Sequence, residues 1–251
     1  MLKTTNLTKD FGNIVAVNNL NLKIEKELFV FLGPNGAGKT TTIKMMTGLL
    51  RPTAGSVKIF DYDLHKQPVE AKRLIGLVPE TPYLYGKLTA REFMYFMADL
   101  YKIDRRISSK RLSDLIDLFD LGSYANNMIQ TYSHGMQRKC SIAGALIHDP
   151  QVLFLDEPTV GLDPKSARNL KSILSELVKR GVTIFMSTHI LEIAENMCDR
   201  IGIIHEGELI ACGKIEELRT RLKKENQSLE DIFLELTEGN VTEQVLRYLD
   251  G

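Results

Sequence analysis

No stretch of the 251-residue sequence approaches the roughly 18 to 20 consecutive apolar residues needed to span a bilayer. The opening segment, MLKTTNLTKDFG, has an early lysine but no apolar core, so it does not read as a secretory signal. Net charge is absent too, since 32 Lys+Arg oppose 32 Asp+Glu. That balance argues against a nucleic-acid partner, because neutralising many phosphates takes an excess of Lys and Arg. The three cysteines, Cys140, Cys198 and Cys212, are odd in number and lack metal-ligand spacing. Buried free thiols in a reducing cytosol are expected, ahead of a disulfide or a metal site. Internal repeats and low-complexity tracts are missing. Disorder is excluded by 43% hydrophobic residues without net charge. What remains is a soluble, intracellular chain with one large domain or two modest ones.

Three short apolar runs, LFVFL at 28–32, VLFL at 152–155 and VTIFM at 182–186, are too short for helices and rich in β-formers. Each is followed by polar residues, with helical patterns between them, as in a mainly parallel sheet buried on both faces. IGIIHEGELIAC at 201–212 places Glu206-Gly207 between two apolar runs and predicts a hairpin. Residues 1–27 alternate more loosely and are expected to add antiparallel strands at the sheet edge.

Helical spacing is clear in four places. Phe93, Phe96, Met97, Leu100 and Tyr101 follow i, i+3, i+4, i+7, i+8, with Thr89-x-x-Glu92 in front as a capping box. Leu112, Leu115, Ile116 and Phe119 repeat the pattern, with Leu121-Gly122 as a stop. Leu170, Ile173, Leu174, Leu177 and Val178 do so again, started by Asp163-Pro164 and ended by Gly181. Ile190, Ile193, Ala194 and Met197 mark the last. The stretch from about 85 to 150 therefore predicts a helical subdomain inserted between two strand-bearing regions. Residues 214–251 hold nine acids against six bases and predict one or two surface helices.

Gly33-Pro34-Asn35-Gly36-Ala37-Gly38-Lys39-Thr40 matches G-x-x-x-x-G-K-[ST] in full, between the strand 28–32 and a helix carrying Ile43 and Met46. Glycines let backbone N–H groups turn inward around a polyphosphate, and the following helix N-terminus adds partial positive charge. Lys39 is placed to reach the β- and γ-phosphates and the Thr40 hydroxyl to bind Mg²⁺, with Thr41 beside them. At the end of the second strand stand Asp156 and Glu157, where open α/β sheets bind ligands. Asp156 is positioned to hold Mg²⁺ and Glu157 to polarise a water for in-line attack on the γ-phosphate.

These residues resemble the ATP-binding cassette ATPases, the nucleotide-binding subunits of ABC transporters, over residues 1–215. The resemblance implies that Phe11 stacks on adenine. Tyr132-Ser133-His134-Gly135-Met136 stands where the family usually has Leu-Ser-Gly-Gly-Gln. Ser133 could cap the helix running through Cys140, Ala143 and Ile147, and that helix start would be an anion site. By the resemblance, Ser133 and Gly135 face the γ-phosphate held by an opposite subunit; His134, taken alone, reads as a solvated loop histidine with no chemistry assigned to it. Val160-Gly161-Leu162-Asp163 is similar to the loop that crosses the dimer interface, and His189 to the histidine that contacts the γ-phosphate. Val78-Pro79-Glu80 departs from the family's usual Gln. Glu80 keeps an oxygen able to reach Mg²⁺ but adds a negative charge, so metal-dependent loop closure is expected to be sharpened. With the tail at 229–237, these departures look similar to the bacterial drug- and ion-exporter branch.

The implied fold is α/β: a P-loop NTPase core with an edge antiparallel β-sheet and an inserted helical subdomain. Residues 1–215 form the nucleotide-binding domain and 216–251 a C-terminal helical extension. The implied function is ATP hydrolysis, with two subunits sandwiching two ATP molecules and driving a separate integral membrane permease subunit, as an exporter. Because each chain carries one cassette, a homodimer or a paralogue dimer is required. The subunit is placed on the cytoplasmic face of the cell membrane. A cassette ATPase acting in assembly or translation without a membrane partner is the alternative. A P-loop kinase or GTPase is disfavoured, since no Asn-Lys-x-Asp motif occurs.

Overall fold

The structure is a computed structural model and describes residues 1–221 and 228–238. The chain opens with β1 (Leu2–Asp10) and β2 (Val15–Ile24), antiparallel strands whose turn is closed by a 3.0 Å bond from the Phe11 amide to the Ile14 carbonyl. β3 (Leu28–Leu32) leads through the glycine-rich loop into α1 (Lys39–Met46). Next come β4 (Ala54–Ile59), β5 (Tyr62–Asp63), α2 (Pro68–Arg73) and β6 (Ile75–Val78). Three helices follow, α3 (Ala90–Leu100), α4 (Arg105–Leu118) and α5 (His134–Leu146). β7 (Val152–Asp156), α6 (Pro164–Lys179), β8 (Thr183–Thr188) and α7 (Leu191–Met197) return the chain to the core. β9 (Arg200–His205), β10 (Glu208–Gly213), α8 (Ile215–Arg221) and α9 (Leu229–Glu238) follow among the described residues.

Six strands make one sheet in the order β10-β9-β3-β8-β7-β6. β9, β3, β8, β7 and β6 run parallel, and β10 pairs back on β9 as the expected hairpin. The pleat divides the apolar runs between two cores. Leu28, Val30 and Leu32, with Leu153, Leu155, Ile184 and Met186, face the helices α3–α7. Phe29, Phe31, Phe154 and Phe185 face the other way and meet Leu2, Leu7, Val17 and Val57 of a second sheet. Phe185 sits among the other three rings at 5.3 to 5.8 Å.

That second sheet, β2-β1-β4-β5, corrects one expectation. Residues 1–27 do form antiparallel strands, but these pair with 54–59 in a separate four-stranded sheet rather than at the edge of the parallel one. The edge is occupied by β10 instead, and the aromatic face of the parallel sheet needs a whole apolar layer to cover it. β4, β5, α2 and β6 carry weak local patterns that the sequence reading passes over.

The helix signals act at short range. Thr89 and Glu92 exchange both bonds of a capping box, 3.2 Å and 2.8 Å. Asp163 caps α6 through the Ser166 amide at 2.9 Å, with Pro164 following. α4 stops earlier than the expected Leu121-Gly122: Asp120 takes the left-handed turn at φ 56°. At α9, Leu229 and Ile232 are buried and Phe233 and Leu236 packed against the helical-side core, so that stripe docks onto the cassette. Residues 222–227 and 239–251 of the expected extension lie outside the described residues. Cys140 is buried, Cys198 and Cys212 are half-buried, and none of the three forms a disulfide among the described residues. Burial pushes Cys140 and Cys198 up to about 12. Among the described residues no helix is long and apolar enough to cross a membrane.

His148 joins the helical layer to the sheet. Its ring stacks on Tyr101 at 3.7 Å, and Nε2 lies 2.9 Å from the Ile75 carbonyl at the start of β6. Burial pushes its pKa down from 6.5 to about 4. As pH falls through that window, the unfolded chain takes up a proton that the folded chain refuses, so stability is lost with acid. Relative to His148→Phe, the native chain should lose on the order of 1–3 kcal/mol more stability across that pH range. Urea unfolding at several pH values measures the difference, and parallel pH profiles would refute it.

Candidate active site

Every chemically distinctive residue of the parallel sheet lies at or just beyond the carboxyl ends of its strands. The loop after β3 binds its own lysine first: Lys39 Nζ donates to the carbonyls of Gly33 at 2.8 Å and Pro34 at 3.1 Å. Gly38 precedes α1 at φ 103°, where a Cβ would stand 2.3 Å from the Ala16 carbonyl oxygen, so β2 forces glycine here. Ala37 is buried and anchors the loop by accepting a 3.1 Å bond from the Gly207 amide.

Strand register brings the acids to this loop. β8 lies between β3 and β7, and Asp156 is the ladder partner of Ser187. Ser187 Oγ donates to Asp156 Oδ1 at 2.5 Å and accepts from the Glu157 amide at 3.2 Å. Asp156 and Ser187 are both buried. Glu157 adopts φ 48°, a left-handed backbone that costs on the order of 1–3 kcal/mol for such a residue. The turn drives its carboxylate to the loop: Oε1 lies 3.0 Å from His189 Nδ1 and 3.5 Å from Lys39 Nζ. Oε2 is buried without a hydrogen-bond partner, as is Thr159 Oγ1. An orphaned acceptor on a strained residue marks a group held ready for something other than folding.

A cleft of about 390 Å³ collects Asn35, Gly36, Gly38, Lys39, Thr40 and Thr41 together with Glu80, Glu157 and His189. Gly33, Pro34 and Ala37 shape the loop from behind, and Asp156 lies beneath, held by Ser187. Phe11 is not among the cleft residues. It sits in the β1–β2 turn, 57% exposed, with Lys9 Nζ 4.9 Å from its ring centroid. Ser133 and Gly135 are also elsewhere. Ser133 caps α5 through the Met136 amide at 3.3 Å, and this turn packs against Gly161, whose position would put a Cβ 2.9 Å from His134 Cδ2. Ser187 is the site residue whose role sequence reasoning missed. Its signal was available, as a small polar residue inside a buried strand one step before the Thr188-His189 end.

A glycine-rich phosphate loop between a buried strand and a helix, with acids on the next strand but one, defines a P-loop nucleoside triphosphatase. The family model described as ABC transporter matches residues 17–160. The chain is 37% identical to the linearmycin resistance ATP-binding protein LnrL of Bacillus subtilis over 98% of its own length and 78% of that protein's. It is 38% identical to the bacitracin transport ATP-binding protein BcrA of Bacillus licheniformis, covering 89% and 73%. A dimeric post-hydrolysis ATP-binding cassette, MJ0796 bound to ADP and Pi, superposes with TM-score 0.78 at 29% identity, covering 86% and 99%. The chain belongs to the ABC transporter family. It is an ATP-binding, ATP-hydrolysing subunit.

Ser187→Ala should leave a buried Asp156 oxygen without its donor and lower stability by about 1–3 kcal/mol. Urea unfolding of the nucleotide-free protein measures this, and an unchanged midpoint would show that the bond contributes nothing.

Proposed function

We propose that the chain is the motor of an exporter, lying peripherally on the cytoplasmic face of the cell membrane beside a separate permease. Two copies, or one copy and a paralogue, close around two ATP molecules. The phosphate loop Gly33–Thr40 with Thr41 cradles the phosphates, and Lys39 turns from its own loop carbonyls to the β- and γ-oxygens. Phe11 offers an exposed ring for adenine. Ser133 and Gly135 present the N-terminus of α5 to the partner's γ-phosphate. The resistance and transport proteins similar to this chain support the exporter reading, and the dimeric cassette supports pairing.

The donor set fits Mg²⁺. Thr40 and Glu80 line the cleft and Asp156 lies beneath it, giving one hydroxyl and two carboxylates. These are the hard oxygens that Mg²⁺ takes alongside phosphate. Among the described residues no cluster of three or more His, Cys, Asp or Glu could hold a metal ion. When bound, Mg²⁺ would supply positive charge that offsets the negative charge developing on the transferred phosphoryl group. Ser187 fixes Asp156 for this role. Glu157 takes the proton of the attacking water as its oxygen bonds to the γ-phosphorus and the bond to the β-bridging oxygen breaks. ADP and phosphate leave. His189 holds Glu157 through Oε1 and leaves Oε2 to the water.

A second hollow of about 390 Å³, between β6 and α3, carries the exposed Tyr85, Phe96 and Leu100 and runs to Pro79. An apolar patch continuous with the Glu80 loop suits a cytoplasmic segment of the permease, which would feel that loop move.

The observation that carries the reading is Glu157, strained, buried and half-unpartnered beside Lys39 and His189. Glu157→Gln should lower phosphate release on the order of 10²–10⁴-fold while an ATP-bound dimer accumulates on size exclusion. Turnover at the native rate would remove Glu157 as the base. Glu80→Gln should weaken the Mg²⁺ dependence of ATP binding in calorimetric titrations. Identical Mg²⁺ titration curves would remove Glu80 from the metal site.

A further inference from the structure

Arg138 is 1% exposed and heads the largest fully buried side chains of the described residues. It occupies the α5 stripe otherwise formed by Ile142 and Ala145. Burying a guanidinium is costly unless its donors are taken up. Among the described residues no carboxylate lies within ion-pair distance of it. Its fork closes instead on two backbone carbonyls, Pro79 at 2.6 Å and Glu80 through the second nitrogen, while Nε has no partner. Burial pulls its pKa down, and the charges of Glu80, Asp156 and Glu157 push it up. The positive group therefore stands behind the acidic side of the cleft without touching it.

The two ends of this link do different work. Arg138 lies in the first turns of α5, whose start is capped by Ser133. The carbonyls belong to the loop that carries Glu80 into the cleft and Pro79 into the apolar hollow. We propose that Arg138 is a positioning residue that makes the Ser133 turn and the Pro79–Glu80 loop one rigid unit, so that nucleotide contact made by Ser133 in one site of the dimer resets Glu80 in the other. The proposal rests on the dimer reading above. A planar two-pronged donor is required, because a lysine ammonium keeps the charge but is a point donor on a flexible stem.

The chain contains no tryptophan, so Tyr83→Trp places a single reporter in this loop, at an 85% exposed position. The experiment combines it with Glu157→Gln in the full chain, adds MgATP, and records tryptophan emission and size-exclusion elution together. ATP should produce a dimer and an emission shift. Adding Arg138→Lys should keep the dimer and bring ATP affinity to within roughly twofold, but lose most of the emission shift. In the Glu157 background the same variant should lower kcat on the order of tenfold, with the Hill coefficient falling from near two to near one. Arg138→Gln, neutral but still an amide donor, should behave the same way and serves if the lysine variant fails to fold. A dimer with an undiminished shift in either folded variant would overturn the role of Arg138 alone. Failure of the Tyr83→Trp, Glu157→Gln protein to dimerise would instead overturn the dimer reading, and the proposal with it.

Discussion

The pairing of β7 with β8 is the constraint on which the rest depends. Asp156 stands opposite Ser187 in that ladder, and the 2.5 Å bond between them fixes the end of β7 where β8 gives way to His189. Because β8 also pairs with β3, one register sets the distances between the phosphate loop, the acids and the histidine. A slip of one residue would turn Phe154 and Phe185 toward the helices and Asp156 away from Ser187. The four-phenylalanine core therefore protects the geometry of the cleft as well as stability. Burial energy acting on alternate side chains holds the register, and the register holds the site.

Glu157 shows what is done with that rigidity. Its left-handed backbone is unfavourable by itself, and it persists because its amide donates to both the hydroxyl and the carbonyl oxygen of Ser187. The resulting carboxylate is pinned on one oxygen by His189 and bare on the other. A second contact of similar character lies outside the cleft, where Arg138 surrenders its fork to main-chain carbonyls. In both places an expensive buried group is spent on orientation rather than on pairing charge with charge.

The motifs were legible because each depends on neighbours in the chain. The phosphate loop needs glycines at fixed spacing, the capping box needs Thr89 three residues before Glu92, and the α6 start needs Asp163-Pro164. Those interactions span one turn, so their spacing is written in the sequence. The separate sheet made by β1, β2, β4 and β5 was not legible as such. Pairing over fifty residues leaves no local signature, and alternation says only that a strand has a wet and a dry face. Asp120 ended α4 where glycine was expected, since a short polar residue also tolerates the left-handed region.

The sequence by itself determined the class of chemistry: a polyphosphate cradle, a pair of acids after a buried strand, and helices that start and stop where their caps stand. Tertiary structure alone decided which oxygen of Glu157 is held and which is bare, that Ser187 is the hinge of the acidic pair, and that Arg138 faces the Glu80 loop. It also set Phe11 in the β1–β2 turn, outside the lining of the cleft, and Ser133 as the cap of α5. The reason is physical. Local bonds follow from spacing along the chain, whereas the partner of a buried polar atom depends on which strands share a ladder and which helix lies against a loop. That is settled only when the two apolar faces of the parallel sheet are both covered.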